Sequence, residues 1–291
     1  MSTCVLVYLY TSIMETFFSF LEKRVDDCSS LLCIGLDPHI SELNEPAPAS
    51  ALDFCLNLVR QTAPYAAAFK PNAAFFEVFG AEGWTMLKDV ISAINEESNR
   101  LGSRIPIILD AKRGDIASTS EAYAKAAFEN LGVDCVTLNP YLGKDSIEPF
   151  IQNPEKGVFL LCKTSNAGSM DLQNLLVLPV GSDNPMPLYN YVAQLAQQWN
   201  VNNNIGIVVG ATHPQIMSNI RASAPDLWLL SPGVGAQGGE LESALKAGLR
   251  KDGKGMLIPV SRSIARAEKP GLAAAELRDE ILRVRNEIKS A

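Results

Sequence analysis

The stretch that decides the fold runs from residue 105 to residue 116 and reads Ile105-Pro106-Ile107-Ile108-Leu109-Asp110-Ala111-Lys112-Arg113-Gly114-Asp115-Ile116. Its first five residues are apolar, as expected for a strand that is buried on both faces. Asp110 and Lys112 follow two residues apart, so on an extended backbone their side chains point to the same side. Gly114 then allows a turn, and Asp115 comes directly after it. The charges form either a structural ion pair, with Asp115 capping a helix, or part of a functional site.

Seven other short apolar runs are interspersed with stretches of helical periodicity. Eight strand–helix repeats within residues 30–290 predict a closed (β/α)8 barrel, a TIM barrel, rather than a doubly wound open sheet. An amphipathic stretch at residues 17–24 predicts a further helix that caps the closed bottom of the barrel. No linker-like segment interrupts the pattern, so we expect one domain over residues 14–291. The predicted strands are 31–36, 66–69, 106–109, 135–138, 158–162, 205–209, 227–230 and 256–260.

Composition narrows the classes of function. The 291 residues are 47% hydrophobic and carry a formal net charge of −7, which argues against a general nucleic-acid or anionic-membrane surface. Residues 1–13 are interpreted as an N-terminal extension that is either disordered or packed on a neighbour, with Met14 as a candidate natural start. Their apolar run at 5–10 is too short to span a bilayer.

The cysteines and histidines point away from a metal site. The six cysteines match no zinc-binding spacing, and several lie in apolar runs, so free thiols in a reducing compartment are expected. With no targeting signal visible, that compartment is predicted to be the cytoplasm. The two histidines, His39 and His213, both lie next to prolines, so a histidine-based metal site is not expected.

Polar residues follow most of the predicted strands. Each one has a structural explanation when taken alone, such as a turn or a lysine at the barrel rim. Together they would gather at the carboxyl ends of the strands, where barrels of this kind carry their chemistry. The glycine-rich run 233–239 after the seventh strand and Arg262 after the eighth predict a phosphate site, because exposed N–H groups and a guanidinium fork both bind phosphate oxygens. The remaining strand-end residues are Asp37, Lys70, Asn72, Asp110, Lys112, Asn139 and 163–168.

Assembled in this way, the residues resemble the orotidine 5′-phosphate decarboxylase family over residues 15–290. Asp-Ala-Lys-Arg-Gly-Asp at 110–115 and Gly-Leu-Asp-Pro at 35–38 are similar to its second, longer subgroup. Ala167 stands where proline is common in that subgroup, and residues 1–13 have no recognisable counterpart. The other matching segments are Phe69-Lys70-Pro71-Asn72, Lys163-Thr164-Ser165-Asn166 and Ser231-Pro232-Gly233-Val234-Gly235-Ala236-Gln237.

The resemblance implies a role for each matching residue. It implies a homodimer with a shared active site, no cofactor and no metal, and orotidine 5′-phosphate and UMP as ligands. In some organisms the domain is fused to orotate phosphoribosyltransferase, so this chain is either whole or one half of such a protein. The implied catalytic residues are Lys70, Asp110, Lys112 and Asp115; Asp115, Ile116 and Thr119 would reach the other subunit's site. The implied substrate contacts are Asp37 for the ribose, Ser165 for the pyrimidine, Gln237 with Arg262 for the 5′-phosphate, and Asn166 and Pro232 as further substrate-binding residues.

Loss of CO2 from C6 of the pyrimidine leaves a carbanion that no cofactor absorbs. A preorganised cation such as Lys112 would stabilise that charge and then donate the proton. Three alternatives remain open: a Mg²⁺-dependent sugar-phosphate decarboxylase or synthase of the same superfamily, a Schiff-base aldolase that uses Lys163 or Lys112, and a barrel that binds a nucleotide without turnover. The Lys163–Asn166 segment and the long loop after the seventh strand favour the pyrimidine substrate.

Overall fold

The structure is a computed structural model that describes residues 15–43, 45–233 and 239–290. The extension at residues 1–13 and the predicted phosphate ligand Gln237 lie outside the described residues. The strands are β1 Leu32–Leu36, β2 Ala68–Pro71, β3 Ile108–Arg113, β4 Cys135–Leu138, β5 Gly157–Lys163, β6 Leu176–Val177, β7 Met186–Pro187, β8 Ile205–Val209, β9 Leu229–Leu230 and β10 Met256–Val260.

Helices follow most of the strands. A π-helical turn, Ala126–Leu131, continues α5. The α-helices are α1 Phe17–Cys28, α2 Pro48–Thr62, α3 Ala74–Glu77, α4 Gly80–Leu101, α5 Ala117–Lys125, α6 Glu148–Ile151, α7 Ser169–Leu172, α8 Leu188–Trp199, α9 Pro214–Ser223, α10 Gly239–Gly248, α11 Arg262–Ala265 and α12 Pro270–Ser290.

Eight of the strands form one parallel sheet in the order β2-β1-β10-β9-β8-β5-β4-β3. The sheet closes on itself because β2 also bridges to β3, through Phe69 with Ile107 and Asn72 with Asp110. The strands are almost wholly buried, as expected when helices cover a barrel from outside. The predicted (β/α)8 barrel is therefore confirmed, and all eight predicted strand positions overlap the observed strands.

Helix α1 covers the amino-terminal end of the barrel, as predicted. The Phe18 ring stacks on Trp228 with 5.9 Å between centroids and meets Phe159 edge to face at 5.7 Å. The Phe17 ring lies so close to Gly157 that any side chain there would collide with it. The bottom of the barrel is thus plugged by aromatic rings, which leaves the opposite end for a ligand.

Two local features differ from the prediction. The helical periodicity of residues 75–100 predicts one helix, but the structure has two, α3 and α4, and Gly80 at their junction adopts φ +62° in the left-handed region that glycine tolerates. The glycine and prolines of residues 181–187 predict a loop, but part of this segment belongs to a small antiparallel hairpin in which β6 pairs with β7. Apolar patterning did not indicate that hairpin because its strands have two residues each. Within the described residues, no helix combines the length and apolar character that a membrane span requires.

Candidate active site

The carboxyl ends of the barrel strands surround a pocket of about 870 Å³. Parallel strands of a barrel end at the same face, so side chains that are far apart in sequence meet there. Eight of the twelve predicted site residues line this pocket: Asp37, Lys70, Asp110, Lys112, Ser165, Asn166, Pro232 and Arg262. Asp115, Ile116 and Thr119 do not line it, and Gln237 lies outside the described residues.

A chain of alternating charges lies in the pocket. Lys70 on β2 donates to Asp110 Oδ2 on β3 at 2.7 Å, and Lys112 Nζ donates to Asp110 Oδ1 at 2.6 Å. Lys70 and Asp110 have nearly buried side chains, whereas half of the Lys112 side chain is exposed. Lys112 therefore presents its ammonium to the open part of the pocket, where a ligand would lie.

Thr137 completes this group and was missed by the sequence analysis. Its hydroxyl donates to Asp110 Oδ1 at 3.0 Å, and its oxygen accepts from the backbone N–H groups of Ala111 and Lys112 at 3.1 and 3.0 Å. The signal in the sequence was a single threonine inside the apolar strand β4. A buried hydroxyl needs a hydrogen-bonding partner, so its position on the strand next to β3 could have indicated Asp110.

The neighbouring charges keep Lys70 and Asp110 ionised. Burial alone would lower the pKa of Lys70, but the negative charges of Asp110 and Asp37 more than reverse this, and the pKa lies well above its usual range. Burial alone would raise the pKa of Asp110, but Lys70 and Lys112 hold it well below its usual range. Both groups therefore stay charged across neutral pH.

The backbone at Lys112 differs from the extended conformation that the sequence suggested. Lys112 has φ +46°, and the pairing of β3 with β4 shifts register between Leu109 and Arg113. A left-handed conformation at a non-glycine residue costs on the order of 1–3 kcal/mol and is concentrated at functional sites. The hydrogen bond from the Lys112 N–H to Thr137 helps to hold it. The side chains of Asp110 and Lys112 converge as predicted, but through a bulge rather than through regular alternation.

Asp115 lies beyond the pocket of its own chain. Its Oδ1 accepts from the N–H of Ile116 at 2.8 Å. The following helix α5 begins at Ala117, and no side chain caps it. The helix-capping interpretation of Asp115 is therefore not supported. The next residue, Ile116, is 53% exposed.

Arg262 begins the short helix α11 at the far side of the pocket, after β10. Its side chain is exposed, and its guanidinium forms no hydrogen bond or ion pair with any residue that the structure describes, although its backbone carbonyl accepts from the N–H of Arg266. Arg266, one turn later, also lines the pocket but is already paired with Glu42 of the segment that follows β1. Of the two guanidinium groups, that of Arg262 is therefore the one available for an anion.

Asp37 and the segment after β5 form the remaining walls. Asp37 Oδ1 is buried without a hydrogen-bonding partner among the described residues. Ser165 packs so closely on Gly210 that a Cβ at position 210 would lie 3.0 Å from the Ser165 Cβ. Lys163 does not line the pocket: its buried Nζ donates to Ser169 Oγ at 2.9 Å. This position disfavours Lys163 as a Schiff-base lysine.

No group of three or more histidine, cysteine, aspartate or glutamate side chains suited to a metal ion occurs in the described part of the chain. The five described cysteines are buried free thiols. Burial raises the pKa of Cys33 and of Cys162 to about 12, so neither thiol is poised as a nucleophile.

Known proteins are similar to this chain in sequence and in fold. The sequence model described as "Orotidine 5′-phosphate decarboxylase / HUMPS family" matches residues 30–277. The chain is 47% identical over 266 residues to an orotidine 5′-phosphate decarboxylase of Roseiflexus sp. (strain RS-1), covering 90% of this chain and 93% of that protein. The solved structure of Leishmania donovani OMP decarboxylase superposes with a TM-score of 0.81 at 50% identity, covering 94% of this chain and 99% of that one.

A second solved structure, Leishmania donovani UMP synthase, superposes with a TM-score of 0.83 at 52% identity. That comparison covers 93% of this chain but 56% of the UMP synthase, so the latter contains a further part that this chain does not match. The family match over most of the chain, and the identity to relatives of nearly equal length, lead to one conclusion: the chain belongs to the orotidine 5′-phosphate decarboxylase / HUMPS family.

Proposed function

We propose that this protein is a carboxy-lyase that converts orotidine 5′-phosphate to UMP, the last step of de novo pyrimidine synthesis. The observation that carries the proposal is the Lys70–Asp110–Lys112 charge chain, in which Lys70 and Asp110 are nearly buried and Lys112 presents its ammonium to the pocket. The direct test is the loss of orotidine 5′-phosphate absorbance on addition of the purified protein. Binding of the nucleotide without turnover would instead support the non-catalytic barrel.

Lys112 has the position that the chemistry requires. Loss of CO2 leaves an electron pair on C6, and an ammonium held in place before the reaction stabilises that charge more than mobile water does. The same ammonium then transfers its proton to C6, which completes the product and leaves a neutral amine to be reprotonated. Its hydrogen bond to Asp110, at 2.6 Å, fixes the ammonium without neutralising the carboxylate.

Asp110 and Lys70 would support that step. We propose that the substrate carboxylate lies beside the ionised Asp110, so that its departure relieves repulsion between like charges. Lys70, which is buried, keeps Asp110 ionised and in place. Such a network supplies only part of the barrier reduction, which is typically about 8–23 kcal/mol for enzymes. Binding energy from the phosphate is the expected supplement.

Substrate contacts follow from the pocket lining. We assign the phosphate to Arg262 and Gln237, the ribose hydroxyls to Asp37, and the pyrimidine to Ser165 and Asn166. Pro232 would close the wall beside them. The unpartnered Asp37 Oδ1 and the unpaired Arg262 support this assignment, since both offer hydrogen-bonding capacity that the described protein groups leave unused.

The phosphate assignment predicts that Arg262→Ala weakens substrate binding by roughly 2–5 kcal/mol, because a partly buried phosphate loses a charged partner. Steady-state kcat/KM measures the loss, and added guanidinium is expected to restore part of the rate. Arg266→Ala is the matched control, because that guanidinium is already paired with Glu42 and should matter less. A small effect of Arg262→Ala beside a large effect of Arg266→Ala would move the phosphate to the second arginine.

The competing sugar-phosphate reaction needs Mg²⁺, so removal of metal ions distinguishes it from decarboxylation of orotidine 5′-phosphate. Dialysis against EDTA is expected to leave the decarboxylation rate unchanged, because Lys112 rather than a metal stabilises the carbanion. The rate is measured before dialysis, after it, and after Mg²⁺ is returned. A large loss that Mg²⁺ restores would favour the sugar-phosphate enzyme.

We further propose a homodimer in which Asp115, Ile116 and Thr119 complete the partner's site. Asp115 does not line the pocket of its own chain, and exposed apolar residues follow the carboxyl ends of β2, β3 and β4. Exposed apolar surface of this kind is typical of protein interfaces. Sedimentation or light scattering measures the assembly. The exposed apolar side chains are Val78, Ile116, Tyr141 and Leu142.

Three broader assignments complete the proposal. We propose that residues 14–291 form one domain, in a cytoplasmic enzyme whose buried thiols suit a reducing compartment. The similarity to a UMP synthase suggests an orotate phosphoribosyltransferase as a fused or associated partner. Formation of UMP from orotate and phosphoribosyl pyrophosphate, by the protein isolated from its source, tests that partnership.

A further inference from the structure

Gln173 lies directly after helix α7 and behind the pocket wall, and it does not line the pocket. The backbone N–H of Thr164 donates to Gln173 Oε1 at 2.9 Å. A backbone N–H can only donate, so the amide oxygen of Gln173 must face it. The amide nitrogen is thereby directed to the Thr164 side chain, and the orientation of the Gln173 amide is fixed by the main chain.

That orientation of the Gln173 amide determines which group donates and which accepts in the neighbouring hydrogen bonds. Gln173 Nε2 donates to Thr164 Oγ1 at 2.9 Å, so the threonine oxygen acts as an acceptor. The single hydroxyl proton of Thr164 then has an acceptor at 2.7 Å, Asn166 Oδ1. The alternative, donation back to Gln173 Oε1, spans 3.3 Å and is the weaker contact. The series of hydrogen bonds therefore runs from Gln173 through Thr164 to Asn166.

The end of this chain is a pocket residue. Asn166 Oδ1 accepts from Thr164 and so faces away from a ligand, whereas the NH2 of Asn166, which can only donate, has no partner among the described residues. Gln173, the first residue of this series of hydrogen bonds, is also held in place, because its backbone carbonyl accepts from the N–H of Tyr189 in helix α8 at 3.0 Å. Gln173 is thus held by helix α8 through its backbone, and its side chain, through Thr164, determines which way the Asn166 amide faces.

We propose that Gln173 is a positioning residue for base selectivity: it holds the Asn166 amide so that its NH2 faces the base. A wall that presents N–H donors favours a ring carbonyl over an amino group at the same place, as in uracil against cytosine. An amino group there would meet another donor, and both would lose their hydrogen bonds to water. This inference rests on the proposed function, because it assumes that a pyrimidine nucleotide occupies the pocket.

The test compares UMP with CMP by titration calorimetry. The unchanged protein is expected to bind UMP at least roughly tenfold more tightly than CMP. In Gln173→Glu the carboxylate still accepts from the Thr164 N–H but has no proton to donate. The Thr164 hydroxyl then donates to the glutamate, and Asn166 is released to turn its oxygen toward the base. We expect the preference for UMP to fall by roughly fivefold or more.

Asn174→Asp is the matched control, since it adds the same charge one residue away at an exposed side chain and should keep the preference. If Gln173→Glu unfolds, Gln173→Met removes both hydrogen bonds without a charge and should also reduce the preference. An unchanged UMP-to-CMP ratio in the folded variants would overturn the inference while leaving decarboxylation intact. Failure of the unchanged protein to decarboxylate orotidine 5′-phosphate would instead overturn the proposed function.

Discussion

Lys112→Ala should abolish decarboxylation while the nucleotide still binds. General acid catalysis contributes about 10²–10⁴-fold and a preorganised charge about 10²–10³-fold, so the loss of both predicts a fall in kcat of at least about 10⁴-fold. Binding of UMP is expected to survive, because we assign the phosphate and ribose contacts to Arg262, Gln237 and Asp37 rather than to Lys112. Single-turnover kinetics and calorimetry with UMP measure the two effects separately.

Lys251→Ala is the matched control for the lost charge, since Lys251 is exposed in the turn before β10, away from the pocket. Asp110 keeps its buried partner Lys70 when Lys112 is removed, so the fold should persist. Near-normal turnover in Lys112→Ala, with UMP binding intact, would show that another group protonates C6. Loss of binding together with turnover would show that Lys112 holds the nucleotide rather than acting on it.

The position of the pocket could be predicted from sequence because parallel strands of a barrel end at one face. Lys70, Asp110 and Arg262 are far apart along the chain, yet each follows a short apolar run, and that was enough to bring them together. Such a prediction requires only strand ends and the geometry of the barrel. It does not require any side-chain conformation.

The details that escaped prediction depend on contacts between elements. Thr137 lies inside an apolar strand, and its role appears only once β4 is paired with β3. The left-handed backbone of Lys112 depends on that same pairing. Lys163 follows the pattern of a strand-end residue, but a register shift in β5 accompanies its contact with Ser169 rather than with the pocket. The sequence of one strand does not indicate a register shift, because register is set by pairing with the neighbouring strand.

Mixing Lys70→Ala protein with Asp115→Ala protein should restore about one quarter of the normal activity. Each variant alone is expected to be nearly inactive, because each lacks one member of the proposed catalytic network. If the partner supplies Asp115, a mixed dimer has one site with both defects and one site with neither. With equal mixing half of the dimers are mixed, and half of their sites are intact. Activity after subunit exchange, with exchange followed by mass spectrometry, measures the recovery.

The chain provides an internal control for this experiment. Lys70 and Lys112 both contact Asp110 of their own chain, so they must serve the same site. Mixing Lys70→Ala with Lys112→Ala should therefore leave every site of a mixed dimer with one defect, and no activity should return. A mixture of Lys112→Ala with Asp115→Ala should recover activity to the same extent as the mixture of Lys70→Ala with Asp115→Ala. If Asp115 served its own chain, all three mixtures would stay inactive despite exchange, and the shared site would be rejected.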